Sequence, residues 1–136
     1  MTTAIPLTLH LLVIIGVYEL AAGLAGLFGT IDWVSLLDEF ERSPALTFLT
    51  GFMVYILGAA VILLHHHWTD PLAIIISLIA WLAPIEGLLM MIAPGPLFRF
   101  SKRLVASQRA ISFVAILFGA LLVILGLTGR ADPTAL

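Results

Sequence analysis

Apolar residues run almost unbroken through four stretches, Pro6 to Phe28, Pro44 to Leu64, Pro71 to Ala93 and Leu104 to Leu127. Each is close to the ~20 residues that a helix needs to cross the hydrocarbon of a bilayer. Between the first two the pattern changes. Trp33, Leu36, Leu37 and Phe40 recur at i, i+3, i+4 and i+7, with Asp32, Asp38, Glu39 and Glu41 elsewhere around the wheel. That spacing predicts an amphipathic helix lying at the membrane surface. After Pro94-Gly95-Pro96 the design returns with Leu97, Phe100 and Leu104 apolar and Arg99, Lys102 and Arg103 polar. The expected fold is all-α: an integral membrane four-helix bundle, made of two tandem helical hairpins with amphipathic interfacial connectors.

The two halves, about 6–68 and 71–127 of a single transmembrane domain spanning 1–136, align on their acids and glycines. Placing Glu19 on Glu86 puts Leu11 on Leu78, and the later helices align as Gly51 on Ser112 and Gly58 on Gly119. The distance from acid to later glycine is 58 − 19 = 39 residues in one half and 119 − 86 = 33 in the other, so the connectors differ by six. A two-helix repeat keeps its orientation, which implies a pseudo-twofold along the membrane normal. Small residues share helix faces: Gly16, Gly23 and Gly26 with Glu19 in the first helix, Gly51 and Gly58 with Thr47 in the second, and Ala115, Gly119 and Gly126 with Ser112 in the fourth. Such stripes let membrane helices approach closely, so helix packing is the expected role of these residues.

Composition agrees with a bilayer as solvent: 62% of residues are hydrophobic, 10% are charged, and the mean hydropathy is +1.19. Little chain remains outside the apolar stretches for a soluble domain. Cysteine is absent, which removes disulfides, thiolate metal sites and a cysteine nucleophile. Ala21, Ala22 and Gly23 resemble a signal-peptidase site, but Met1 to Leu9 carries no Lys or Arg, so a retained first helix is expected. Arg42, Arg99, Lys102, Arg103 and Arg109 lie in or beside the first and third connections, against Arg130 alone on the other side. This asymmetry places both termini and the His65 to Asp70 loop outside the cytoplasm. Asp32, Asp38, Glu39 and Glu41 with Arg42 sum to −3, and Arg99, Lys102, Arg103 and Arg109 to +4, so the connectors should attract each other. No basic arm suggests nucleic acid; the expected partners are the lipid bilayer and further copies of the chain or a larger membrane complex.

Glu19 and Glu86 are the residues with most chemical content. A carboxylate at membrane depth costs ~2.5–3.5 kcal/mol on insertion scales and by default marks a function. Each stands roughly 10–14 Å inside the connector-side boundary at 1.5 Å per residue. Three readings are open: a proton or cation site, shared if the halves bring the acids together; a protonated carboxyl bonded to Tyr55, Thr50 or Ser112; or recognition of a partner helix. Pro84 removes a backbone bond to Ala80 and should kink the helix beside Glu86. Arg109 offers Glu86 an ion-pair partner. His65, His66 and His67 lack the i, i+4 spacing of a helical metal site and are expected to be interfacial, with a pH or metal sensor as the lesser reading. His10 lies across the helix from Glu19. No nucleophile–base pair, phosphate loop or metal-ligand pattern is visible, so no enzyme activity, no cofactor and no metal are expected.

Ile85-Glu86-Gly87-Leu88-Leu89-Met90-Met91-Ile92-Ala93-Pro94, followed by basic residues and a glycine-bearing apolar helix, resembles the small two-helix bacterial inner-membrane proteins of the YjeT type. The resemblance covers about residues 80–126. The first half departs from it, with Leu20 in place of the glycine and no matching proline. It implies a bacterial inner membrane and an unknown role, since that family has no settled function. The residues themselves point to a proton- or cation-linked transport or channel role centred on Glu19 and Glu86. The alternative is a non-catalytic accessory or scaffold subunit whose glycine faces and charged connectors dock a larger membrane complex.

Overall fold

A computed structural model describes residues 2–3 and 5–131. Its spanning helices are α1 (Pro6–Leu27), α3 (Pro44–Leu64), α4 (Pro71–Ile92) and α6 (Gln108–Thr128), all long and apolar enough to cross a membrane. The connector helices are α2 (Trp33–Arg42) and α5 (Pro94–Val105). Prolines open α1, α3, α4 and α5, where a missing N–H costs no intrahelical bond. Asp32, Ser43 and Asp70 cap α2, α3 and α4 by accepting from Ser35, Leu46 and Ala73 N–H. Gly29, at φ +74°, turns the chain out of α1 in the left-handed conformation that glycine adopts without strain. The fourth span begins at Gln108, four residues later than its apolar run, because Leu104 and Val105 finish α5 instead.

The all-α four-helix expectation holds, but the helices pair across the two halves. α1 lies along α6, and α4 lies along α3; α1 touches α4 much less. A Cβ on Gly16 would meet the Gly119 carbonyl at 2.8 Å, and one on Gly23 would meet the Ser112 carbonyl at 2.8 Å. In the other pair, a Cβ on Gly58 would lie 2.9 Å from the Ala83 Cβ, and one on Gly51 would lie 2.8 Å from the Met90 Cβ. Backbones this close leave no room for larger side chains, and the contact energy is dispersion rather than water release.

The pairs join at both ends. Leu12, Leu72, Ile76 and Leu122 form a fully buried cluster near the histidine end, with Val61 of α3 packed against it. Beyond it Thr2–Thr3 and Arg130–Ala131 pair as two short parallel strands, which puts the two ends of the described chain on one side. At the connector end α2 packs on α5: Phe40 and Phe98 stack at 6.1 Å, and Lys102 Nζ reaches both Asp38 Oδ1 and Glu41 Oε2 at 2.7 Å. The expected attraction between connectors is therefore present, carried by Lys102 alone among the basic residues of α5. In α5 Phe98 is buried, while Phe100 and Leu104 are exposed on the protein surface. Large apolar side chains also cover the outer faces of the spans, as a lipid solvent requires.

Candidate functional site

Glu19 and Glu86 lie between these two layers, one on each helix pair. Neither makes a hydrogen bond or ion pair with any described residue. The bonds considered for them from Tyr55, Thr50 and Ser112 are absent, and so is an Arg109–Glu86 pair. Their surroundings differ. Glu19 is half-buried and lines a cleft of about 310 Å³ between α1, α6 and the start of α2. Tyr18, Trp33 and Phe118 supply aromatic walls, while Ala22 and Ala115 leave the space. Glu86 is exposed on the outer face of α4 and does not line that cleft, so the acids share no common cavity there.

Pro84 packs toward α3. It is buried and seats its ring against Gly58 of α3, while Glu86, two residues on, points elsewhere on the helix. The glycines are likewise spent inside the molecule. Gly26 faces Ser112 and Trp33, and Gly126 faces Val13, so the stripes of Gly16, Gly23, Gly26, Gly119 and Gly126 form the α1–α6 seam. Gly51 and Gly58, with Gly87, form the α3–α4 seam. Ala115 faces the Glu19 cleft instead.

Gln108 is a residue that periodicity did not single out. Its Nε2 donates to the Gly26 carbonyl at 3.0 Å and the Ile31 carbonyl at 2.7 Å, and its Oε1 accepts from Trp33 N–H at 3.1 Å. One side chain thereby ties the end of α1 and the start of α2 to α6, setting Trp33 beside the Glu19 cleft. Trp33 Nε1 and Ser112 Oγ are buried close by without a hydrogen-bond partner among the described residues. A signal existed: Gln108 aligns with Thr47, whose Oγ1 donates to the Phe40 carbonyl at 2.6 Å. Both polar residues interrupt an apolar run where a connector carbonyl needs a donor.

The histidine run divides. His65 is fully buried, not interfacial, and its Nε2 shares a 2.6 Å hydrogen bond with Thr8 Oγ1. Burial pushes its imidazole below the usual histidine range, and Nδ1 has no partner among the described residues. His66 and His67 are exposed, with His66 edge-on to Trp68 and Trp81. Ser77 donates to the His67 carbonyl at 2.7 Å. No group of three or more His, Asp or Glu residues among the described residues can hold a metal ion. A second cleft, about 760 Å³, opens at the connector end of α3 and α4 beside Phe40, Phe48, Met90, Met91 and Phe98, with Glu41 at its rim.

No protein-family model, curated protein or solved structure matches this chain.

Proposed function

We propose that the protein is a small polytopic membrane protein with a proton- or cation-linked transport role, in which Glu19 and Glu86 act at separate stations. The observation that carries this reading is the cleft at Glu19: a carboxyl within a spanning helix, unpaired among the described residues, beside an open space. A purely structural acid in a membrane would be expected to have a donor of its own. Both acids stand between the buried cluster at one end and the connector layer at the other, a position from which access can alternate. The accessory-subunit alternative keeps only its charged connectors as a docking surface, because the glycine faces are occupied within the chain.

The contacts also support an internal repeat. The alignment that places Glu19 on Glu86 and Gly58 on Gly119 pairs the Gly16–Gly119 contact with Ala83–Gly58, and Gly23–Ser112 with Met90–Gly51. Two tandem hairpins that exchange their second helices produce this arrangement. We place the protein in a bacterial inner membrane with both termini outside, on the basic-residue asymmetry and the resemblance of its second half. In liposomes carrying an internal pH-sensitive dye, the parent should move protons, and Glu19→Gln should abolish that movement. Glutamine keeps shape and hydrogen bonding but cannot titrate. A parent without flux, or equal flux in parent and variant, would overturn the reading.

A further inference from the structure

We propose that the cleft beside Glu19 binds an amphiphilic organic cation: a single ammonium-type centre on a small apolar body. The inference rests on the reading that Glu19 is a working carboxyl, and it adds what that carboxyl recognises. Among the cleft residues Glu19 is the sole acid, and none is Lys, Arg or His. An anion has no counter-charge there. A zwitterion would leave its own carboxylate unpaired in an apolar wall, at a cost of several kcal/mol.

A hard metal ion fits no better, since such ions require about six oxygen ligands and Glu19 and Tyr18 are the only lining residues whose side chains contain oxygen. An organic cation needs fewer oxygens. Its charge is spread over carbon-bearing substituents, and aromatic faces attract it. Tyr18 from α1, Trp33 from α2 and Phe118 from α6 bring such faces to the same space. A volume of about 310 Å³ stands at the lower end of small-molecule sites and admits one ring or a short alkyl group with its charged head. Glu39, exposed on α2 and absent from the cleft lining, is the internal control.

Benzyltrimethylammonium is a suitable probe, because neopentylbenzene has the same shape with carbon in place of the charged nitrogen. With Trp68→Phe and Trp81→Phe, Trp33 becomes the sole tryptophan and reports directly on the cleft. In dodecyl maltoside, which carries neither charge nor amine, the ammonium should change Trp33 fluorescence saturably and neopentylbenzene should not. Glu19→Gln should weaken binding about tenfold to a hundredfold, as expected for losing a charged partner. Glu39→Gln, on the exposed surface of α2, should leave it unchanged, and Ala115→Leu should block the space with Glu19 still present. Calorimetry on the unsubstituted chain reads the same equilibrium without the tryptophan changes.

Competition separates two sources of the same chemistry. Displacement by octadecyltrimethylammonium alone assigns the site to a membrane-resident cation; displacement by water-soluble phenethyltrimethylammonium as well assigns it to a free amphiphilic cation, and displacement by neither overturns the proposal. An equal response to neopentylbenzene, or unchanged binding in Glu19→Gln, would overturn the proposal. Binding without proton flux would leave this site standing and remove the transport reading. Flux without probe binding would do the reverse.

Discussion

The α1–α6 and α3–α4 pairs are built to one plan and finished differently. Each sets a glycine of the second helix, Gly119 or Gly58, against a small residue of the first, Gly16 or Ala83. Beyond that contact they diverge. Pro84 fills the seam beside Gly58, and Glu86 is exposed. In the other pair Gln108 ties the start of α2 to α6, and Trp33 lines the cleft at Glu19. Similar backbone packing thus supports two carboxyls in unlike surroundings. Close helix contact sets where an acid sits along the membrane, and the polar residues at the helix ends decide whether it gains a pocket.

The largest effects are expected at the glycine seams. Gly119→Leu and Gly58→Leu should each prevent stable assembly, while the milder Gly119→Ala and Gly58→Ala should each cost about 1–3 kcal/mol, because a new Cβ meets packed backbone. Denaturation by sodium dodecyl sulfate, followed by circular dichroism, measures both. Equal losses would mark the seams as equivalent; tolerance at one alone would show that only the other holds the bundle together.

Gln108→Ala sharpens the asymmetry. It removes three hydrogen bonds at one end of the α1–α6 pair and should cost roughly 1–3 kcal/mol. Its distinguishing mark is spectral: with α2 untied, Trp33 emission should shift, while Trp68 and Trp81 remain as they were. Thr47→Val, at the aligned position, should leave Trp33 emission unchanged.

The smallest effect is expected where the two pairs meet, at Lys102. Its hydrogen bond holds the Asp38 carboxyl below the usual aspartate range, and Asp38 and Glu41 hold the Lys102 ammonium above the usual lysine range. For Asp38 the stabilisation is complete above the unfolded pKa and is lost as pH falls through the lowered folded value. For Lys102 it is complete below the unfolded pKa and is lost as pH rises through the raised folded value. Lys102→Glu should lower the melting temperature in detergent at neutral pH, and adding Asp38→Lys with Glu41→Lys should restore part of it. High salt should shrink both changes. Additive losses without rescue would show that the aromatic stack of Phe40 on Phe98 joins the connectors without electrostatic help.

Periodicity and apolar length alone were enough to locate the spans to within a residue or so in three cases, since burial in hydrocarbon demands an unbroken apolar run and prolines mark where each run starts. Opposite charge on the connectors was also enough to predict that they attract, although not that a single lysine does the work. What no linear pattern contains is the partner of each helix. Gly16 and Gly119 stand 103 positions apart (119 − 16 = 103), and a small-residue stripe is complementary to any other of similar spacing. The tertiary arrangement chose α6 for α1 and α3 for α4, and that choice consumed the glycines inside the molecule. It also buried His65 against Thr8, 57 positions away, and separated two acids that occupy matching places in the chain. Hydrophobicity measures the transfer of a segment into the bilayer, which each helix undergoes by itself. Shape complementarity and the pairing of end-of-helix donors with carbonyls exist only once helices distant in the chain lie side by side.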